Sequence, residues 1–122
     1  MVLTPDDAIA VVPYHVGETG QIIVTAAINV QGPFNFAIDT GASITVIFDR
    51  AREQAGFKLL EDKRVLIHGM VGSGHFPLAV VEEIAVGDAS WDNARIAVMP
   101  GDTDASTSVD GILGVDLLSH YA

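Results

Sequence analysis

Asp39, Thr40 and Gly41 are the residues of this sequence that are best suited to chemistry, because they place a carboxylate between two hydrophobic segments. The apolar run Phe36-Ala37-Ile38 precedes them, and a second apolar run from Ile44 to Phe48 follows almost at once. Burying a charged group among apolar residues is unfavourable unless the group is hydrogen-bonded or reaches a cleft. The position of Asp39 therefore needs an explanation from its local structure or from its function.

A tight turn at the end of a strand would let Asp39 point into a cleft. Gly41 would allow a backbone conformation or a close approach that a side chain would obstruct. The Thr40 hydroxyl can donate and accept, so it could fix the turn to neighbouring backbone, and Ser43 could donate to the outer carboxylate oxygen. A structural Asx-type turn with a capping aspartate is the other interpretation, since such turns are common.

The composition limits the classes of function that remain. The chain has 122 residues, which predicts a single domain over 1–122. It has no cysteine, which excludes disulfides, thiolate metal sites and cysteine nucleophiles. The net charge is −10, from 16 acidic and 6 basic residues, so we expect no binding to nucleic acid or to anionic membrane surfaces.

The sequence contains no segment typical of membrane insertion. No apolar run approaches the roughly 18 residues that a membrane helix needs, so we expect no stable membrane insertion. The first residues, Met1 to Asp7, have neither the basic region nor the apolar core of a signal peptide.

Short apolar and β-branched runs separated by Gly and Pro predict a mostly β protein. The predicted strands cover residues 21–30, 34–39, 44–48, 63–70, 75–86, 90–99 and 109–113. We expect a turn at 31–33, an exposed polar loop at 101–108, and short helices at 49–56 and 115–120. Asp49 is the predicted cap of the first helix and Gly56 its end. This pattern favours an all-β barrel or sandwich.

A glycine-rich segment separates two of the predicted strands. It consists of Gly69, Met70, Val71, Gly72, Ser73 and Gly74. A phosphate-binding loop would need a helix after it, and a Walker loop would need Lys followed by Ser or Thr. A strand follows instead, so a hairpin that bends over a bound peptide explains the glycines better. A plain surface hairpin and a nucleotide-binding role are the weaker alternatives.

Two motifs in order along the chain resemble the pepsin-like and retroviral aspartic proteases. The first is FAIDTGAS around Asp39, and the second is DGILGVDLL from Asp110 to Leu118. The resemblance implies a catalytic Asp39, with Ile112-Leu113-Gly114 packed behind it and a helix next in the chain. The glycine-rich segment 69–74 falls where this family has its flap. The resemblance covers about residues 21–120 and implies a single-lobed, retropepsin-like acid-protease closed barrel with one or two short helices.

The family resemblance also implies a mechanism that needs two carboxylates. One takes a proton from water, and the other donates a proton to the scissile carbonyl; two such groups face to face share one proton. This sequence has one Asp-Thr-Gly motif, so the second Asp39 would come from another copy in a symmetric homodimer. Asp110 is a weaker candidate within the same chain, and we expect Asp116 to face solvent or to cap the last helix.

The leading hypothesis is therefore an aspartic endopeptidase that hydrolyses polypeptides without a cofactor, with substrate bound as an added strand. The main alternative is a peptide-binding or scaffolding module of the same fold without catalysis, and a structural β-barrel with a fortuitous Asp-Thr-Gly is a third. Compared with retroviral-type enzymes, the chain ends one strand early, which suggests a truncated end or a different dimer edge. Bacterial relatives of this type are often periplasmic or membrane-tethered, and the resemblance suggests export here too.

The remaining candidate ligands do not predict a metal site. Alternating oxygen-bearing residues at 102–110 follow a calcium-loop rhythm, but Thr107 and Leu113 stand where an EF-hand needs Gly and Glu. The four histidines share no metal-ligand spacing; they are His15, His68, His75 and His120. We expect Trp91 to pack in the core or at a sheet edge.

Overall fold

The computed structural model describes residues 2–3, 10–18, 20–69, 72–100 and 109–119. Most of these residues are in strands, and two short helices complete the fold. The elements are β1 (Val2–Leu3), β2 (Ala10–Val11), β3 (Tyr14–Val16), β4 (Ile22–Ile28), β5 (Gln31–Ile38), β6 (Val46–Phe48), α1 (Asp49–Ala55), β7 (Leu60–Gly69), β8 (Gly72–Val86), β9 (Ala89–Met99), β10 (Gly111–Leu113) and α2 (Val115–Leu118).

Six of the strands close into a barrel, which confirms the predicted fold class. They follow one another in the order β4-β5-β10-β6-β9-β8, and a pairing between β4 and β8 closes the ring. β10 is parallel to β5 and antiparallel to β6, so this C-terminal strand lies in the middle of the sheet. β3 extends the sheet beside β4, and β7 extends it beside β8.

The barrel interior is filled by large apolar side chains from every part of the ring. Strand residues alternate between the two faces, so Phe34 and Phe36 point inward while Asn35 between them is exposed. The largest fully buried apolar side chains include Ile28, Phe36, Ile47, Ile84, Ile96 and Leu113. Each contributes roughly 1.5–3 kcal/mol by its removal from water.

A second apolar cluster lies on the outer face of the same sheet. Part of this cluster is a row of residues that are paired with one another across successive strands of the barrel. The row is Ile23, Ala37, Ile112, Val46, Ala97 and Leu78. Val65 of β7 and Phe76 of β8, which are paired with each other, pack against this cluster. The β7–β8 hairpin is therefore anchored to the outside of the barrel.

The turn between β4 and β5 lies earlier than the sequence predicts. Ile28 pairs with Gln31, so the turn is Asn29-Val30, and the turn predicted at 31–33 is wrong. Both turn residues have positive φ, 49° and 67°, as two-residue hairpins of type I′ require. Val rarely adopts this conformation, which is why the sequence pattern did not reveal it. Gly32 and Pro33 instead fall where the register between β4 and β5 shifts, a position that tolerates proline.

The first helix ends as predicted but begins differently. Gly56 has a left-handed φ of 80°, and its N–H donates to the carbonyl of Arg52 at 2.9 Å. The prediction that Asp49 caps the helix is wrong, because Phe48 occupies the cap position and makes no side-chain cap bond. Asp49 is the first helical residue, and its Oδ1 accepts from Nε of Arg52 at 2.7 Å.

Candidate active site

Asp39 lies at the end of β5, beside the end of the parallel strand β10. Ile38, the last residue of β5, is the register partner of Leu113, the last residue of β10. The N–H of Asp39 donates to the carbonyl oxygen of Leu113 at 3.1 Å, so the pairing continues one residue beyond the strand. This places the Asp39 side chain at the mouth of the barrel, where it is exposed.

Two further hydrogen bonds fold the chain into a turn around Asp39. The N–H of Gly41 donates to Asp39 Oδ1 at 2.8 Å, and the N–H of Ala42 donates to the Asp39 carbonyl at 3.1 Å. These bonds orient the carboxylate relative to its own backbone. In the described part of the chain they come from backbone N–H groups rather than from the hydroxyls of Thr40 or Ser43, which are both exposed.

A side chain at Gly41 would crowd the carboxylate of Asp39. A Cβ atom added at Gly41 would lie 3.2 Å from Asp39 Oδ1, which is closer than an ordinary van der Waals contact. Close approach is therefore the physical reason for glycine at this position.

The segment Ile112-Leu113-Gly114 lies next to the Asp39 turn. Ile112 and Leu113 belong to β10, and Gly114 contacts the backbone that follows the Asp39 turn. A Cβ at Gly114 would come within 2.8 Å of the Ala42 carbonyl oxygen, so this position has no room for a side chain. The N–H of Val115 then donates to the same Ala42 carbonyl at 2.9 Å.

Asp110 lies at the other end of this strand pair. Its Oδ2 accepts from the N–H of Asn35 at 2.8 Å, and its own N–H donates to the Asn35 carbonyl at 2.7 Å. Asn35 is four residues before Asp39 on an extended strand, a separation of roughly 13 Å at 3.3 Å per residue. The structure therefore does not bring Asp110 to Asp39, and an intrachain pair of these two carboxylates loses its support.

Thr45 and Asp116 form a contact that the sequence analysis missed. Thr45 is fully buried and is the buried polar residue among the described side chains. Its Oγ1 donates to Asp116 Oδ1 at 2.8 Å, and its N–H donates to Asp116 Oδ2 at 3.0 Å. The expectation that Asp116 faces solvent or caps α2 is wrong, because Gly114 is the cap residue and Asp116 is partly buried against Thr45. The sequence signal for this contact was Thr45 itself, a polar residue directly before the buried run Val46–Phe48.

The β7–β8 hairpin extends beyond the barrel as a two-stranded arm. β8 pairs with β9 from Leu78 onward, whereas residues 72–77 pair with residues 64–69 of β7. The register shifts between Leu60 and Arg64 at the base of this arm. The predicted glycine-rich tip lies at its end, where Gly69 pairs with Gly72; Met70 and Val71 fall outside the described residues.

The described residues do not form a cluster that resembles a metal site. No group of three or more His, Asp or Glu side chains within them could hold an ion. His15 and His75 are exposed on separate strands, while the loop at 101–108 and His120 lie outside the described residues. Trp91 is buried in the core as expected, with its Nε1 donating to the Leu117 carbonyl at 2.9 Å. No helix in the described ranges is long and apolar enough to cross a membrane.

A single-lobed barrel with an Asp-Thr-Gly turn at a strand end defines the retropepsin-like class of folds. The chain belongs to the aspartyl protease family, whose sequence model matches residues 24–117. A comparison with curated proteins found no match to this sequence.

The fold of this chain is shared by solved structures, among them the following two. The crystal structure of a retropepsin-like aspartic protease from Rickettsia conorii is 20% identical, with a TM-score of 0.65 over 98% of this chain and 77% of that one. The EIAV protease complexed with the inhibitor HBY-793 is also 20% identical, with a TM-score of 0.61 over 86% of this chain and 91% of that one.

Proposed function

We propose that this chain is one half of a homodimeric aspartic endopeptidase, in which Asp39 and the Asp39 of a second copy activate a water molecule. The observation that carries the proposal is the exposed Asp39 carboxylate, held at a strand end by the backbone of Gly41. The match to the aspartyl protease family favours a catalytic role for this carboxylate over a purely structural one.

The proposed reaction requires the two carboxylates to be in different protonation states. Two such groups about 3 Å apart cannot both ionise, so the pair holds one proton between them. The ionised group removes a proton from water as the water oxygen attacks the scissile carbonyl carbon. The protonated group donates to the carbonyl oxygen, which gives a tetrahedral diol. The carboxyl group that took the water proton then protonates the amide nitrogen, one diol hydroxyl returns its proton to the other carboxylate, and the C–N bond breaks to release the amine and the acid.

A second copy is the best source of the second carboxylate. The sequence has a single Asp-Thr-Gly motif. The two other carboxylates near the supporting segment are engaged elsewhere, Asp110 with Asn35 and Asp116 with Thr45. A two-fold axis beside the exposed Asp39 turn would bring two equivalent carboxylates together.

The β7–β8 arm supports a polypeptide as the substrate. We assign residues 69–74 at its end to covering an extended peptide, which would bind as an added strand. In the described part of the chain the arm pairs with barrel strands only at its base, where Val65 and Phe76 pack against the outer apolar cluster. Gly41 supports the Asp39 turn in this scheme through its N–H, and a supporting role for Thr40 and Ser43 stays a prediction.

Cleavage of an unfolded protein by wild type and by Asp39→Asn tests the proposal. The amide cannot carry the shared proton, so we expect the rate to fall at least about 10²–10⁴-fold while the fold is retained. Asp92→Asn removes a carboxylate from an exposed position on β9 and should leave cleavage unchanged. Cleavage by Asp39→Asn at the wild-type rate would exclude the mechanism. Peptide binding without cleavage by the wild type would favour a binding module instead.

A further inference from the structure

The carboxylate of Asp116 accepts three hydrogen bonds from two residues. Oδ1 accepts from Thr45 Oγ1 at 2.8 Å and from the Leu117 N–H at 2.9 Å, while Oδ2 accepts from the Thr45 N–H at 3.0 Å. Each oxygen therefore faces at least one N–H or O–H donor. An asparagine would present one acceptor oxygen and would turn its NH₂ group toward a donor.

The Thr45 hydroxyl is oriented by a second bond. Its Oγ1 accepts from the Gly114 N–H at 3.0 Å, so its own hydrogen is available to Asp116. The carbonyl of Thr45 in turn accepts from the Ala97 N–H at 3.0 Å, which ties it to β9. Because Thr45 is fully buried, loss of any of these partners would leave a polar group with no hydrogen-bond partner and no access to water. We call the paired side chains the Thr45–Asp116 clasp.

The clasp joins the same two segments that hold Asp39. The turn begins with the Asp39 N–H bonded to Leu113, and the Ala42 carbonyl accepts from the Val115 N–H. Three residues later the clasp binds Thr45 to Asp116. The chain from 39 to 45 is thus fastened at its start, middle and end to residues 113–116.

We infer that Asp116 is a positioning residue for the Asp39 carboxylate, acting through Thr45 and the shared backbone contacts of residues 113–116. The inference rests on the proposed function of Asp39 for its effect on cleavage. The role proposed for Asp116 goes beyond stabilisation of the fold, because a displacement of about 1 Å in a reacting group such as the Asp39 carboxylate can lower a rate about 10²-fold. The rate per folded molecule should therefore fall when the clasp is broken.

Four variants distinguish positioning from a general loss of stability. Asp116→Asn replaces one acceptor oxygen of the clasp with an NH₂ donor, and Thr45→Val removes its hydroxyl, each with little change in volume. Thr45→Ser keeps the hydroxyl, and Asp92→Asn removes a remote carboxylate as the matched control. We expect kcat per folded molecule to fall about 10²-fold in the first two, with KM changed little, and to remain near wild type in the last two. An unchanged kcat in folded Asp116→Asn or Thr45→Val would overturn the inference.

Amide hydrogen exchange gives a readout that does not depend on cleavage. In Asp116→Asn the N–H groups of Asp39, Gly41 and Ala42 should exchange faster, while that of Ile84 in the core should change only as far as global stability changes. A uniform acceleration at all four amides would show a structural role only and would overturn the inference. If the wild type cleaves nothing, this experiment still tests the clasp. If neither clasp variant folds, a role separate from folding is refuted.

Discussion

The N–H of Asp39 and the carbonyl oxygen of Leu113 are 3.1 Å apart and hydrogen-bonded across two parallel strands. The two residues are far apart in the sequence, and β10 is inserted between β5 and β6. The position of the candidate catalytic carboxylate thus depends on the C-terminal segment being in place. Changes in the C-terminal segment should therefore affect the Asp39 turn through these backbone hydrogen bonds.

Gly41 should tolerate no side chain without loss of activity. In Gly41→Ala the Cβ would lie 3.2 Å from Asp39 Oδ1, so the carboxylate must shift by a few tenths of an ångström. Gly41→Val should be worse, since its branched side chain also crowds the facing loop of a second copy. We expect cleavage to fall in that order, by up to about 10²-fold for Val, together with weaker dimerisation. Gly41→Val with normal turnover and normal thermal stability would contradict this role.

Gly114→Ala should destabilise the fold itself. The added Cβ would meet the backbone of Ala42 and Ile44 at 2.8–2.9 Å, and backbone cannot rotate away as a side chain can. We expect the free energy of unfolding in urea to fall by about 1–3 kcal/mol. Gly74→Ala is the matched control, because its Cβ would meet the Phe76 ring at an ordinary 3.5 Å. Equal stability losses in the two variants would show that close packing at Gly114 is not the cause.

The β7–β8 arm should gain protection when a peptide-like inhibitor binds. Amides in residues 64–69 and 72–77 should exchange faster in the free protein than those in 79–86, which also pair with β9. Inhibitor should slow exchange in the arm and leave 79–86 nearly unchanged, which hydrogen-exchange mass spectrometry can measure. The same exchange in the arm with and without inhibitor would count against a covering role.

Dimer affinity should decrease as the pH rises. In the proposed homodimer two facing carboxylates would share one proton, so association of two chains would be coupled to proton uptake. Proton uptake on association favours the dimer at low pH and weakens it at higher pH, and activity should peak in the mildly acidic range. Sedimentation between pH 4 and pH 8 measures the dissociation constant directly.

The overall charge of the chain must be separated from this local effect. A net charge of −10 per chain also repels a second copy, but salt screens that repulsion over about 10 Å at 0.1 M. Asp39→Asn keeps most of the overall charge and removes the shared proton, so its dissociation constant should depend less on pH at every salt concentration. Identical pH dependence in wild type and Asp39→Asn would rule out the shared proton.

Local patterns were enough to predict the Asp39 turn and the strands around it. They left a barrel and a sandwich both open, and the closed barrel was predicted from the resemblance to the family. An Asp-Thr-Gly turn after an apolar run depends on backbone chemistry within a few residues, and alternation along a strand shows which face is buried. The Gly56 end of α1 was predictable for the same reason, because a left-handed residue at a helix end favours glycine.

Contacts between distant segments could not be predicted in this way. Asp110 and Asp116 have the same side chain and lie close together in the sequence, yet one binds Asn35 and the other binds Thr45. Their partners depend on where β10 enters the sheet and on the register it adopts there. The residue types therefore predicted a carboxylate turn, whereas the packing of the C-terminal strand and helix determined which other carboxylates could lie near it.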